Sequence, residues 1–264
     1  MMCLVPVDQE VPLRETWTPV AEGRVHAWVV GPWTPAAPTA PLVVLLPGLG
    51  LPSYARPTAY ALARGGIPCA VLDLPGFGRR GPRGSRPDVT SIGRAAASWV
   101  MARGSGRRVV VVGHSTGAQA ALGAALVLQE ERADVALVMA GPTFTPRHRR
   151  LRSLVAATPA AYCDDTLGEL VVLPDAARGH LGVLSVLRSG MRDAPEQRLA
   201  ALRMSLALTA GEHDAYAPLP WLATLAAAAG RSARVRTVVA PGSHNNLYTH
   251  PHEVTEVIAD AVSG

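Results

Sequence analysis

The chain of 264 residues contains no lysine, so all 25 of its basic residues are arginines. Only 17% of its residues are charged, whereas 48% are hydrophobic. This balance excludes a disordered chain or a coiled coil, in which charge outweighs apolar burial. The longest apolar stretches, such as residues 41–46 and 109–112, are much shorter than the about 20 residues that cross a bilayer. No membrane partner is therefore expected.

Cysteine is also scarce, with Cys3, Cys69 and Cys163 as the whole set. An odd number without a CxxC pair or histidines at ligand spacing argues against a disulfide framework and against a zinc site. We expect buried or incidental thiols and no metal.

The basic residues form two clusters, at residues 79–86 and 147–152. Neither cluster has interleaved aromatic residues or a recognition-helix pattern, so no nucleic-acid partner is expected.

Residues 1–15 have no basic start, and Asp8 and Glu10 precede any hydrophobic segment. We therefore expect no secretory signal and a cytoplasmic protein.

Short apolar runs alternate with longer alanine-rich segments, a pattern typical of strand–helix units around a parallel sheet. The run of four valines at residues 109–112 lacks polar alternation, which indicates a central strand covered by helices on both faces. The predicted strands are residues 24–30, 42–46, 69–72, 109–112, 134–139, 204–208 and 235–239. The predicted helices are residues 54–64, 90–103, 116–130 and 251–262. Thr90 or Ser91 is the predicted N-cap of the second of these helices, which ends at about residue 103.

Residues 143–200 interrupt this alternation with short helical patterns, four prolines and no convincing strand. We predict a helical cap, residues 143–200, inserted into one core domain formed by residues 1–142 and 201–264.

The sequence Gly113-His114-Ser115-Thr116-Gly117 has the form GxSxG, which follows a predicted strand and precedes a predicted helix. In such a motif a strained turn lifts the serine above the sheet, and the glycines avoid clashes of a Cβ atom. Ser115 is thus a candidate nucleophile. The alternative is an ordinary serine N-cap of the helix.

A serine nucleophile needs a base, and the base needs a carboxylate to hold its tautomer. Asp214 and His244 follow the last two predicted strands, which gives the chain order Ser, Asp, His. Because the carboxyl ends of parallel strands meet at one edge of the sheet, we expect these side chains to converge with Ser115.

Other residues compete for these roles. Glu212 and His213 precede Asp214 directly, and His250 and His252 follow His244. A metal site built from His213, Asp214 and His244 is a further alternative, although it leaves Ser115 without a role.

On these motifs, residues 20–262 resemble the α/β-hydrolase fold superfamily. The resemblance implies an α/β fold with a mostly parallel central sheet flanked by helices and a small helical cap after strand six. It also implies an oxyanion hole formed by the backbone N–H groups of Leu49 and Thr116. The chain departs from the family at Pro47, where histidine is usual, and at Arg80, where serine is common.

The implied activity is that of a cofactor-free serine hydrolase acting on an ester, thioester or lactone. Ser115 would form an acyl-enzyme, with His244 as the base and Asp214 orienting it. The high arginine and alanine content suits an enzyme of bacterial secondary metabolism. Acyltransferase, perhydrolase and carbon–carbon bond hydrolase activities use the same triad and stay open, as does a ligand-binding protein without catalysis.

The expected partner is a small-molecule acyl substrate. The candidate residues for binding it are His114, Leu151, Leu154, Val155, Tyr162 and Leu184. The arginines at residues 147–152 are either solvated charges or a docking patch for an acidic substrate or an acidic carrier protein.

Overall fold

The computed structural model describes residues 11–32, 40–78, 84–104, 106–164, 166–230 and 234–264. Cys3, the segment considered as a secretory signal up to residue 10, and residues 79–83 of the first arginine cluster lie outside the described residues.

Eight strands form one sheet in the order β1-β2-β4-β3-β5-β6-β7-β8. The first two strands pair antiparallel, β2 pairs antiparallel with β4, and all other neighbours are parallel. This confirms the predicted fold class. The strands are β1 Leu13–Val20, β2 Gly23–Val30, β3 Leu42–Leu46, β4 Cys69–Asp73, β5 Val109–His114, β6 Val135–Ala140, β7 Leu206–Gly211 and β8 Val235–Ala240.

Strand β1 was not predicted. Its sequence, LRETWTPV, mixes polar residues into both faces, and only Thr18 in it is buried. As an edge strand it has little apolar periodicity, which is the signal on which a strand prediction depends.

Ten α-helices occur in the described part of the chain: α1 Arg56–Arg64, α2 Val89–Arg103, α3 Thr116–Glu130, α4 Leu151–Ala161, α5 Leu173–Gly179, α6 Leu181–Arg192, α7 Pro195–Arg198, α8 Leu219–Ala228, α9 Asn246–Thr249 and α10 Pro251–Ser263. Short 3₁₀ helices lie at Gly48–Gly50, Pro52–Ala55, Pro146–Arg149, Leu167–Val172 and Leu199–Ala201. Helix α3 has the predicted bounds, whereas α8 was not predicted. The predicted N-cap of α2 was wrong, because Asp88 caps this helix by accepting the Ser91 N–H at 2.8 Å.

The described residues between β6 and β7 form only helices and turns. Buried acidic side chains attach this segment to the sheet domain. Asp175 accepts hydrogen bonds from the N–H and the hydroxyl of Ser53, and Glu169 accepts one from the Asn245 side chain at 2.9 Å. The segment is therefore fixed beside the loops that follow β3 and β8.

All side chains of β3 to β7 are buried, so the core lies on both faces of the central strands. Cys69 is buried in this core, whereas Cys163 is exposed.

Among the described residues no single helix is long and apolar enough to cross a membrane. The two neighbouring helical segments Leu167–Gly179 and Leu181–Arg192 reach that length and hydropathy only together, and they are bent by 101° at the break between them.

Candidate active site

Ser115 lies in the tight turn between β5 and α3, with φ 55° and ψ −126°. A positive φ is strained for a residue with a side chain and is found mainly where the surrounding structure enforces it. A Cβ atom on Gly113 would overlap the carbonyl oxygen of Gly117, and a Cβ on Gly117 would overlap that of Leu46. The packing around the turn thus accounts for both glycines of the motif.

The hydroxyl of Ser115 lies 3.0 Å from Nε2 of His244, and Nδ1 of His244 lies 2.9 Å from Oδ2 of Asp214. Asp214 and His244 are buried, whereas Ser115 is half-buried. The hydroxyl makes no hydrogen bond to the helix that follows, so the geometry is not that of an ordinary N-cap. The structure therefore brings the three predicted residues into one hydrogen-bonded row.

The second oxygen of the Asp214 carboxylate, Oδ1, accepts the N–H groups of Tyr216 and Ala217 at 2.9 and 3.0 Å. Burial by itself raises the pKa of this carboxyl group, but the charge and hydrogen bond of His244 and the two amides lower it below its ordinary value. Asp214 is therefore ionised at neutral pH and can hold the proton of His244 on Nδ1.

The main chain of His244 is fixed on both sides. Its N–H donates to the carbonyl oxygen of Ala161 at 2.8 Å, and its carbonyl accepts Nε2–H of His114 at 2.8 Å. The rings of Tyr162 and Tyr216 stand edge-on to the imidazole, with centroid distances of 5.6 and 5.0 Å. The imidazole has little freedom to leave Ser115.

His114 does not line a substrate pocket, which corrects the prediction from the sequence. Its ring is buried, and its Nδ1 accepts the hydroxyl proton of Tyr54 at 2.7 Å. The Tyr54 oxygen in turn accepts the N–H of Gly48. Burial lowers the pKa of His114 to about 3, helped by the neighbouring charge of His244, so the ring is neutral. Sequence analysis missed Tyr54, because nothing in the sequence connects it with a residue 60 positions away.

The loop after β3 lies against the serine turn. A Cβ atom on Gly48 would come within 2.7 Å of the Ser115 Cβ. Leu49 has a positive φ of 54°, and its N–H donates to the hydroxyl oxygen of Thr116 at 2.6 Å. As the first residue of α3, Thr116 has an N–H without an acceptor inside the helix. The loop that carries Pro47 in place of histidine is thus held by Tyr54 and Thr116.

The competing residues lie elsewhere. Glu212 is exposed. His213 is also exposed, and its Nδ1 is hydrogen-bonded to Oδ2 of Asp164 at 2.9 Å. His250 bonds Thr249, and His252 is exposed. None of these four is hydrogen-bonded to the Ser115–His244–Asp214 row within the described residues.

No carboxylate directly follows β6, the sixth strand, that could take the place of Asp214 in this site. Gly141 occupies that position, and a Cβ atom there would meet Oδ2 of Asp214 at 3.1 Å. The glycine leaves room for Asp214 to reach His244 from the end of β7.

The metal alternative built on His213, Asp214 and His244 does not match the geometry, because His213 faces Asp164 while Asp214 faces His244. Ligand atoms of Cys163, Asp164 and His213 do lie within 4.8 Å of one another. All three side chains are exposed, and the bond between Asp164 and His213 accounts for their proximity.

The remaining pocket candidates occupy different surroundings. Tyr162 lies beside His244, as described above, and Leu151 and Val155 are exposed on α4. Leu154 is buried with Phe144 and Ala161 of the helical segment and with Tyr216 after β7, so it packs between that segment and the sheet domain. Leu184 lines a groove of about 690 Å³ together with Asp88, Val89, Thr90, Leu181, Ser185, Arg188, Ser189, Arg192 and Asp193.

Two of three comparisons with known proteins found matches, and both agree with this architecture. The sequence profile of the alpha/beta hydrolase family matches residues 43–257. No curated protein matches the sequence at a significant level. More than a thousand solved chains match its structure.

Three of these solved structures span nearly the whole chain. An esterase from Thermogutta terrifontis is 16% identical, with a TM-score of 0.66 over 94% of this chain and 97% of its own. A carboxylesterase from Bacillus subtilis is 15% identical, with a TM-score of 0.67 over 96% and 93%. A 2-hydroxy-6-oxo-6-phenylhexa-2,4-dienoate hydrolase from Rhodococcus sp. strain RHA1 is 19% identical, with a TM-score of 0.70 over 97% and 100%. At this identity the likeness shows a shared fold. Because the family profile covers most of the sequence, the chain belongs to the alpha/beta hydrolase family.

Proposed function

We propose that the protein is a serine hydrolase that cleaves an ester, thioester or lactone through an acyl-enzyme on Ser115. The observation that carries this proposal is the hydrogen-bonded row from Ser115 through His244 to Asp214, with distances of 3.0 and 2.9 Å. A serine in a strained turn, an imidazole within reach of its proton and an ionised carboxylate are the three parts that nucleophilic acyl transfer needs.

In the proposed reaction the Ser115 oxygen attacks the substrate carbonyl carbon while its proton moves to Nε2 of His244. The buried Asp214 carboxylate stabilises the resulting imidazolium. The proton then passes to the leaving group, and the C–O, C–S or other scissile bond breaks to give the acyl-enzyme. His244 next takes a proton from water while the water oxygen attacks the acyl carbon. The bond from that carbon to the Ser115 oxygen then breaks, the proton passes from His244 to this oxygen, and the free acid leaves.

The mechanism requires neither a metal ion nor an organic cofactor. The helical segment 143–200 is proposed as the cap that closes over the substrate, since Ala161 and Tyr162 of this segment contact His244 directly. Tyr162, Leu151 and Val155 are the cap side chains proposed to meet the acyl group.

The test is covalent labelling with a fluorophosphonate probe, followed by peptide mapping. We expect the wild-type protein to carry the label on Ser115, and Ser115→Ala to be unlabelled and inactive with an unchanged melting temperature. Ser185→Ala, which removes an exposed serine of α6, is the matched control and should label as the wild type does. A wild-type protein that resists the probe, or a Ser115→Ala variant with activity within tenfold of the wild type, would contradict the serine mechanism.

A panel of acyl substrates then separates the possible reactions. Aryl esters, acyl thioesters and lactones of increasing chain length are offered with and without a competing alcohol. Release of free acid at a rate independent of the alcohol indicates hydrolysis. Transfer of the acyl group to the alcohol in preference to water indicates an acyltransferase instead.

A further inference from the structure

Thr116 follows the proposed nucleophile and is almost completely buried, with 2% of its surface exposed. Its hydroxyl oxygen accepts the N–H of Leu49 at 2.6 Å. The family resemblance assigns this N–H to the oxyanion hole. In this protein the N–H already has an acceptor, and that acceptor belongs to the residue beside the nucleophile.

The Thr116 hydroxyl can make a further hydrogen bond, as a donor. A threonine hydroxyl has one proton to donate and two lone pairs to accept with. The N–H of Leu49 uses one lone pair, and within the described residues the hydroxyl proton has no acceptor. The group is therefore a donor without a partner, located next to Ser115.

Neighbouring groups keep this arrangement in place. Leu49 and Gly50 both have positive φ values, 54° and 71°, and a Cβ atom on Gly50 would lie 2.5 Å from the carbonyl oxygen of Leu74. The loop therefore has little room to move away from Thr116. A Cβ atom on Gly190 of α6 would come within 3.1 Å of the Thr116 methyl carbon, so α6 packs against that methyl. Packing on the methyl restricts the χ1 angle of this β-branched side chain, which keeps the hydroxyl facing Leu49.

We propose that the Thr116 hydroxyl is an oxyanion donor of this enzyme. This inference rests on the proposed function, in which Ser115 attacks a carbonyl carbon. When the C–O bond to Ser115 forms, the carbonyl oxygen becomes an oxyanion, and the Thr116 hydroxyl donates a hydrogen bond to it together with the Thr116 N–H. No proton leaves Thr116; the only proton that moves passes from Ser115 to His244. The N–H of Leu49 acts through the hydroxyl, by polarising it.

The discriminating variant is Thr116→Val, which replaces the hydroxyl by a methyl group of similar size. Loss of one oxyanion donor lowers kcat by about 10² to 10³ in a serine protease. We expect a fall in kcat of this order for Thr116→Val with KM changed less than threefold. Thr116→Ser keeps the hydroxyl and should retain kcat within about tenfold.

The opposite result follows if the Leu49 N–H binds the oxyanion directly. Thr116→Val then frees that N–H, so kcat stays the same or rises, and the proposal is overturned. Equal losses in Thr116→Ser and Thr116→Val would also overturn it, because they would show that any change of packing at this position lowers kcat, whether or not the hydroxyl is kept.

Two further measurements distinguish a failure of this proposal from a failure of the variant to fold and from a failure of the proposed function. A trifluoromethyl ketone forms a tetrahedral adduct with an active serine, and its inhibition constant should rise in Thr116→Val by the factor by which kcat/KM falls. Fluorophosphonate labelling of Ser115 in the wild type reports on the serine mechanism independently of Thr116. If Thr116→Val fails to fold, as judged by its melting curve, the smaller Thr116→Ala variant replaces it with the same expected loss.

Discussion

The main-chain N–H of His244 donates to the carbonyl oxygen of Ala161 at 2.8 Å, which joins the proposed base to the last residue of α4. On the other side, His114 holds the His244 carbonyl. The imidazole is thus positioned by both the helical segment and the serine turn. A displacement of α4 would therefore disturb the base as well as the substrate side of the site.

The first prediction concerns the acid. Asp214→Asn should lower kcat by about 10⁴, the size of the loss in a serine protease, because the amide favours the wrong imidazole tautomer. KM should change little. Glu212→Gln is the matched control, since Glu212 is exposed two residues away, and it should leave kcat within twofold. Kinetics on one aryl ester measure both. If Glu212→Gln lowers kcat more than Asp214→Asn does, the acid is misassigned.

The hydrogen-bonded row of Ser115, His244 and Asp214 could be predicted from the sequence because its members follow strands β5, β8 and β7 and are close to recognisable turns. Ser115, Asp214 and His244 each come after an apolar run, and parallel strands place such residues at one edge. The contacts that hold these three residues in place could not be predicted in this way. Tyr54 meets His114 across 60 residues, and Ala161 contributes a main-chain carbonyl, for which the residue type gives no signal.

The same limit applies to the fold. The central strands were predicted because uninterrupted valine and leucine runs are typical of buried parallel strands. Strand β1, at the edge, carries polar residues on both faces and gave no such pattern. Leu154 of α4 was expected to face the substrate, but hydrophobicity alone does not distinguish a pocket wall from packing between helices.

The second prediction tests the link between the loop after β3 and the serine turn. Tyr54→Phe removes the hydroxyl that joins Gly48 to His114, which leaves a buried N–H and a buried ring nitrogen without partners. Such a loss costs about 1–3 kcal/mol of unfolding free energy. We expect kcat to fall more than KM rises, because the loop beside Ser115 loses its support. Tyr60→Phe on α1 is the control and should change neither quantity, as urea unfolding and ester kinetics can show.

The third prediction concerns pH. Burial lowers the pKa of His114 to about 3, whereas an ordinary histidine titrates near 6.5. Between these values the unfolded chain binds one more proton than the folded protein, so stability is greatest above pH 6.5 and falls as the pH decreases towards 3. The slope for one such group is about 1.4 kcal/mol per pH unit.

His114→Gln isolates this contribution, because a carboxamide can accept from Tyr54 and donate to His244 without titrating. Between pH 6.5 and 4.5 the wild type should lose about 2 kcal/mol more of its unfolding free energy than the variant does. The lowered pKa of His148 acts in the same direction but is present in both proteins. Asp214 contributes only below its ordinary value of 3.8, outside this window. Parallel slopes in urea titrations at the two pH values would show that His114 is not the titrating group.

The fourth prediction uses two glycines of α3. Gly117→Ala places a Cβ atom against the main-chain carbonyl oxygens of Leu46 and Pro47, which cannot rotate away. We expect a loss of more than about 2 kcal/mol of stability, together with a loss of activity. Gly123→Ala is the matched control in the same helix. Its Cβ would meet the end of the Arg198 side chain at 3.5 Å and the Cα of Gly93 at 4.0 Å, which are ordinary contact distances, so the higher helix propensity of alanine should raise stability by up to about 1 kcal/mol. Thermal melts of both variants decide whether steric conflict, and not loss of glycine itself, is responsible.

The fifth prediction concerns the arginines at the start of the helical segment, which we propose as a docking patch for an acidic acyl substrate or an acidic carrier protein. The structure divides this cluster. Arg149 forms an ion pair with Glu196 at 2.6 Å and joins the turn Pro146–Arg149 to α7, whereas Arg147, Arg150 and Arg152 are exposed. A partner can therefore reach these three residues, of which Arg150 and Arg152 flank the start of α4.

The double variant Arg150→Gln/Arg152→Gln should lower kcat/KM for an anionic or carrier-bound acyl substrate, because fewer positive charges attract it to the site. The loss should shrink as salt is added, since exposed charges are screened over about 8 Å at physiological ionic strength. A small neutral aryl acetate should be hydrolysed as before. Arg149→Gln is the control: it breaks the ion pair with Glu196, so it should change the melting temperature and affect both substrates alike, with little dependence on salt. If the double variant also reduces both activities equally at every salt concentration, these arginines support the fold and do not dock a partner.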